Sequence, residues 1–251
     1  MVISALFGLS KNGMINIDYG IIQRLLYLVS FICLLITYNE IFINFNLKGN
    51  NMTTKLDFAK EYKQYYTAKN NPVVVEFDKI PYLSIEGKGK PAGETFTKAV
   101  EALYPLAYGV KNICKKQGQD FGVPKLEGLW WVKSNQPALE VPRSEWYWKL
   151  LIRMPDFATS EIVKNAKEKV FKKKGLDLIK EIKFETIDEG KCVQIMHIGP
   201  YATEPETIQK MKDFMKENNF NENGLHHEIY LSDPRKTVPE KMKTILRQPI
   251  K

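Results

Sequence analysis

One pattern occurs twice in this chain, and it restricts the fold more than any other feature. "VVVEFDKIPYLSIEGKG" (Val73 to Gly89) and "IKFETIDEGKCVQIMHIGPY" (Ile182 to Tyr201) each read as two strands and a turn. The first strands end near Phe77 and Phe184, and the turns run through Lys79-Ile80-Pro81 and Asp188-Glu189-Gly190. Alternation in the second strands is clearest at Leu83 and Ile85, and at Val193, Ile195 and His197. A helical stripe follows each pair. In the first half it is Phe96, Val100, Leu103, Ala107, Val110 and Cys114, with Pro105 predicted to kink it. In the second it is Ile208, Met211 and Met215, opened by "TEPE", where Thr203 and Glu206 have capping-box spacing. A third strand follows in each half, "LEGLWWV" (Leu126 to Val132) and "HHEIYLS" (His226 to Ser232).

The first half adds a strand at "EWYWKLLIRM" (Glu145 to Met154), whereas the second is expected to close with a short helix. In that helix Thr237 and Glu240 form a capping box, and Met242, Ile245 and Leu246 pack. "SEIVKNAKEKVFKKKG" reads as a linking helix over 160–174 with Ile162, Ala166 and Val170 inward. The expectation is one α+β domain over 52–251, with halves at 72–155 and 178–251. Its sheet carries helices on one face. Residues 1–51 are unlike the rest. "LLYLVSFICLLITYN" (Leu25 to Asn39) is uncharged but shorter than the roughly twenty residues of a spanning helix. It reads as an extension outside the fold, from a misplaced start, with a membrane anchor as the alternative.

Lys and Arg outnumber Asp and Glu by 37 to 29, but the excess is dispersed. The densest run, Lys172 to Lys174, sits where a helix should end and complements its dipole. With no basic stripe interleaved with aromatics, specific nucleic-acid binding is not expected. Cys33, Cys114 and Cys192 are far apart and form no Cys/His cluster, so no metal, no cofactor and a reducing, cytoplasmic setting are expected. His197 reads as a strand-end residue bonded to a turn.

Glu228 and Tyr230 alternate on one face of a strand and Ile229 and Leu231 on the other. If the apolar pair meets the helices, the carboxylate and phenol face a groove. Trp130, Trp131, Tyr147 and Trp148 are candidate walls for an aromatic slot, and Glu127 is a candidate second polar group.

"HIGPYATEPETIQKMKDFM" and "HHEIYLSDPRKTVPEKMKTILRQPI" resemble the GyrI-like small-molecule-binding family. "YLSIEGKG", "ALYPLAYGVK", "EGLWWV" and "RMPDF" are similar to its stand-alone branch, the cyclopropanoid cyclopropyl hydrolases. The resemblance runs from Val73 to Ile250. It implies two pseudo-symmetric strand–helix–strand–strand modules with a ligand groove between them. It also implies an aromatic or cationic small-molecule ligand and a ligand-facing glutamate at Glu228. The implied reaction adds water to a strained spirocyclopropane. Such chemistry needs a flat apolar slot, a base and a donor to the carbonyl oxygen. Glu228 is the expected base, and Tyr230, Tyr201 and Tyr147 are candidate donors. A non-catalytic drug-sequestering module or a gyrase-interacting protein is the alternative.

Overall fold

The computed structural model describes residues 8–9, 15–16 and 55–251. The chain divides into two units, Met1–Met52 and Thr53–Lys251. In the first, Gly8–Leu9 pairs antiparallel with Ile15–Asn16. The expected extension or anchor at Leu25 to Asn39 lies outside the described residues. No helix among the described residues is long and apolar enough to cross a membrane.

The second unit is built on a curled antiparallel sheet. Its strands are β1 (Val73–Phe77), β2 (Ile80–Lys88), β3 (Glu127–Trp131), β4 (Tyr147–Arg153), β5 (Lys183–Ile187), β6 (Gly190–Ile198), β7 (His226–Tyr230) and β8 (Lys243–Pro249). Their order is β1-β6-β8-β7-β3-β4-β2-β5. Exchanging each strand of one half for its counterpart in the other reverses this order onto itself. The halves meet at the centre, where β3 pairs with β7. Each also lends its first strand to the far side of the other, β1 to β6 and β5 to β2.

The helices are α1 (Phe58–Glu61), α2 (Glu94–Lys116), α3 (Ser160–Lys174), α4 (Leu178–Glu181) and α5 (Glu204–Glu217). α2 carries Pro105 within a single continuous helix and buries Ala99, Leu103, Leu106, Ala107 and Val110. α3 matches the expected linking helix in its bounds. Thr159 caps it by accepting from the Ile162 N–H, and Gly175 ends it at φ 66°. Lys172 to Lys174 fill its last turn and are exposed.

Two local expectations are corrected. The C-terminal "helix" is a short 3₁₀ turn, Pro239–Lys241, followed by strand β8. Met242, Ile245 and Leu246 mimic helical spacing because β8 is interior and buried on both faces, pairing with β6 and β7. Each half is therefore strand–strand–helix–strand–strand. The second correction concerns Thr203. Its hydroxyl donates to the Pro200 carbonyl at 2.9 Å within a 3₁₀ turn, Tyr201–Thr203, and does not cap α5.

The two sheet faces are covered differently. Val193, Ile195 and Leu246 pack with Met211 and Met215 of α5. Leu83, Ile85, Leu150, Ile152 and Trp148 share that face through the strand register and pack with α2. The opposite face is covered by the segment before β1, through Phe58, Tyr62, Tyr65 and Tyr66. Arg153 lies over the Phe58, Tyr62 and Tyr65 rings, and Arg247 over Tyr65 and Phe77.

Candidate functional site

The register settles which side chains meet. Glu228 pairs with Leu246 on one side and Gly128 on the other, and Tyr230 pairs with Thr244. All belong to the face that carries α2 and α5. The sequence-based expectation had set Ile229 against the helices. Instead Ile229 is fully buried toward the opposite face, and Glu228 and Tyr230 lie at the seam of the halves on the helix side.

There the expected carboxylate and phenol converge. The Tyr230 hydroxyl donates to Glu228 Oε2 at 2.8 Å, and the Trp130 indole N–H donates to the Tyr230 oxygen at 2.9 Å. Gly128 makes room for this chain: a Cβ there would stand 2.9 Å from the Tyr230 hydroxyl and 3.0 Å from Trp130 Nε1. Phe96 of α2 stacks on Trp130 at 6.0 Å between centroids, and Trp146 meets Trp130 edge-on at 6.1 Å. The Arg143 guanidinium lies over the Trp146 ring. Tyr201, in the turn before α5, packs edge-on against Tyr230 at 6.0 Å. Trp148 is 1% exposed, edge-on to Phe96, and supports this wall from beneath. It needs Gly87, where a Cβ would come within 2.2 Å of the indole.

The electrostatics are those of carboxyls with little water. Burial pushes Glu228 up to about 7, against the pull of its Tyr230 bond and of His227. Burial and the neighbouring Glu228 push Glu204, in the first turn of α5, up to about 9. Arg143 draws both carboxyls down, less strongly. His226, 3.7 Å from Glu228, is held neutral: burial and the His227 charge lower it to about 4.

The remaining expected site residues lie elsewhere. Trp131 and Tyr147 stack on each other at 5.7 Å on the opposite face, with Lys88 and Lys133 over the Tyr147 ring. Glu127 is also on that face and fully buried. It accepts from Tyr65 at 2.5 Å and from His227 Nε2 at 3.1 Å. His227 Nδ1 bonds Glu189 at 2.9 Å, and Glu189 accepts from Arg247 at 3.2 Å. Burial disfavours the imidazolium, but Glu189 and Glu127 outweigh it and raise His227 to about 9. Burial likewise opposes Glu189 ionisation, yet His227 and Arg247 hold it down at about 2. Glu127 thus belongs to a structural charge network, separated from Glu228 by the thickness of the sheet.

His197 behaves as expected, with Nδ1 bonded to Thr207 at 2.9 Å and Nε2 to the Pro200 carbonyl at 3.2 Å. His226 and His227 point to opposite faces, and no group of three metal-ligating side chains occurs among the described residues. Two open surface depressions, of about 470 and 540 Å3, lie at the C-terminal end of α5 and at the β1–β2 and β5–β6 turns. Neither is lined by Glu228 or by the aromatic cluster around Trp130. Sequence reasoning missed Phe96, Gly128, Arg143 and Glu204. "TEPE" had been read for its capping pattern alone, and Gly128 stands where a glycine in a strand signals close approach.

Comparison with known proteins agrees with this architecture. A protein from Listeria innocua described as an uncharacterized conserved protein is 42% identical, with a TM-score of 0.74 over 78% of this chain and all of its own. A hydrolase from the same organism is 40% identical, with a TM-score of 0.71 over 79% of this chain and all of its own. A further Listeria innocua hydrolase is 41% identical, with a TM-score of 0.69 over 78% of this chain and all of its own. Among functionally curated proteins, none matches this sequence closely. The model of the GyrI-like small molecule binding domain matches residues 70–251. With that match spanning most of its length, the chain belongs to the GyrI-like small-molecule-binding domain family.

Proposed function

We propose that this small-molecule-binding domain hydrolyses the strained cyclopropane of cyclopropanoid genotoxins and so protects its cell from them. The carrying observation is the meeting of the Tyr230 phenol and the Glu228 carboxylate at 2.8 Å under the Trp130 indole. The Listeria innocua relatives named hydrolases, at 40% and 41% identity, support the same reading. A planar substrate lies against Trp130, between the Trp146 side and the Tyr201–Tyr230 corner. Glu228, balanced near neutrality, takes a proton from water. The water oxygen bonds to a cyclopropane carbon, the ring C–C bond breaks, and its electron pair moves through the dienone to the carbonyl oxygen. Tyr201, packed against Tyr230, is the donor to that oxygen as negative charge gathers there, while the Tyr230 hydroxyl stays hydrogen-bonded to Glu228 and orients it.

Incubation with a spirocyclopropyl-dienone alkylator, followed by mass spectrometry, should show the gain of one water. Glu228→Gln keeps the shape and removes the base, so turnover should fall about 10²–10⁴-fold while binding of the neutral substrate changes little. Unchanged turnover in that variant removes Glu228 from the mechanism. Tight binding without any water gain in the wild type assigns the domain to sequestration instead.

A further inference from the structure

The mechanism above leaves one buried carboxyl of the slot without a task. Glu204 is 7% exposed, and its Oε1 has no hydrogen-bond partner among the described residues. Thr244, the cross-strand neighbour of Tyr230, lies against its carboxyl. A buried polar atom without a partner costs about 1–3 kcal/mol. An acid at the start of a helix would ordinarily ionise and turn to the free N–H groups or to water. Glu204 instead keeps its carboxyl buried at the start of α5, beside Thr244, the strand partner of Tyr230.

Every element around it bears on its charge. β7 presents Glu228 and Tyr230, the turn before α5 presents Tyr201, and the loop before β4 presents Arg143. β8 adds the neutral Thr244, and Asp233, after β7, acts on Tyr201. Arg143 is the only cation acting on Glu204 in this set, and burial together with the Glu228 charge outweighs it. Two carboxyls in one dry site divide into an ionised one and a protonated one. The pair titrates as a unit, with its lower step nearer Glu228 and its upper step nearer Glu204.

We infer that Glu204 is the general acid of the site, a neutral carboxyl whose proton goes to the substrate carbonyl oxygen while Glu228 takes a proton from water. This inference rests on the proposed hydrolysis and deepens it. The step balances. Water gives its proton to Glu228 and its oxygen to the cyclopropane carbon; the released C–C pair enters the dienone as it becomes aromatic, and the displaced carbonyl π pair forms the phenol O–H bond with the proton of Glu204. Return of the Glu228 proton to Glu204 resets the pair, and the product is substrate plus one water. Tyr201 then steadies the oxygen by hydrogen bonding and need not ionise, in keeping with the upward shift that burial imposes on it.

Glu204→Gln tests this, since an amide keeps the volume and a donor but has no acidic proton to give. The wild-type rate should rise with pH near 7 and fall near 9. The variant should be about 10²-fold slower or worse and should lose the alkaline fall. A variant that keeps the wild-type rate and the alkaline fall overturns the inference.

Ethidium binding separates this result from failure of the hydrolase reading. A planar cation favours the ionised pair, so wild-type affinity should climb between pH 7 and 9. Release of one proton limits the climb to about tenfold per pH unit. The climb should vanish in Glu204→Gln. Wild-type protein that binds ethidium with this pH dependence but adds no water to the alkylator refutes the hydrolase reading and leaves the protonated Glu204 in place. A flat wild-type affinity over the same range overturns the assignment of the proton to Glu204, whatever the turnover.

Discussion

Gly128→Ala gives the sharpest test of how the site is built, because the perturbation is one methyl group at a known place. The new Cβ would sit 2.9 Å from the Tyr230 hydroxyl and 3.0 Å from Trp130 Nε1. An exposed tyrosine would swing away at little cost, but this hydroxyl is fixed by the Trp130 donor and the Glu228 acceptor. Displacing it forfeits a neutral bond of about 1 kcal/mol and a bond to a carboxylate of about 1.5–3 kcal/mol. Alanine is favoured over glycine within a strand by about 0.5–1 kcal/mol, which offsets part of the loss. The net expectation is a destabilisation of about 2–3 kcal/mol. In urea that lowers the midpoint by about 1 M, taking a slope near 2 kcal/mol/M. A second readout follows from the same contact. The Tyr230 bond stabilises the Glu228 carboxylate, so its loss should move the rising limb of the pH–rate profile to higher pH. A variant with the wild-type midpoint and an unmoved limb would refute the claim that Gly128 is required for the Trp130–Tyr230–Glu228 chain.

Two other expectations follow from the same geometry. Trp130→Ala should weaken binding of an aromatic ligand by about 1–3 kcal/mol, whereas Trp131→Ala, on the opposite face, should change it by less than about 0.5 kcal/mol; equal losses by titration calorimetry would place the slot elsewhere. Melting temperature should be highest near pH 4.5 and fall steadily from there toward pH 9, as scanning calorimetry would show. Groups with raised folded values stabilise below their ordinary values and lose that contribution as pH climbs: Glu228 from 4.5 to about 7, Glu204 from 4.5 to about 9, and His227 from 6.5 to about 9. Glu189 has the opposite sign, stabilising above 4.5 and losing that contribution as pH falls toward about 2. A melting temperature that rises steadily from pH 6.5 to 9 would contradict the assignment.

Much of the fold was legible because its signals are local. The stripes of α2 and α5, the extent of α3, and the paired strands of each half stand where their periodicities put them. β8 was not legible as a strand, since an interior strand apolar on both faces carries no alternation to separate it from a helix. At the site, alternation correctly joined Glu228 to Tyr230 and separated His226 from His227, but it fixes only relative faces. Which face receives the helices depended on the segment before β1. Its polar sequence hides two residues, Tyr65 and Tyr66, buried against Glu127, Arg153 and Arg247. With that cover unseen, the opposite face looked free to be a groove, and Glu127, Trp131 and Tyr147 were grouped with the slot.

The exchange of first strands has a mechanical consequence for ligand entry. Were the halves joined only where β3 meets β7, that seam would act as a hinge, and a bulky molecule would enter by spreading the halves apart. β1 is bonded along β6 from Val73 to Phe77, and β5 along β2 from Lys183 to Ile187. Each half therefore carries a brace belonging to the other, and spreading the seam would require breaking strand ladders at both outer edges of the sheet. The sheet is braced against spreading, and a molecule reaching the proposed site would pass the parts that neighbour it: α5 with its leading turn, and the 133–146 loop that carries Arg143. A site on such a sheet would select its ligands by the shape of a bed that the strand exchange holds fixed.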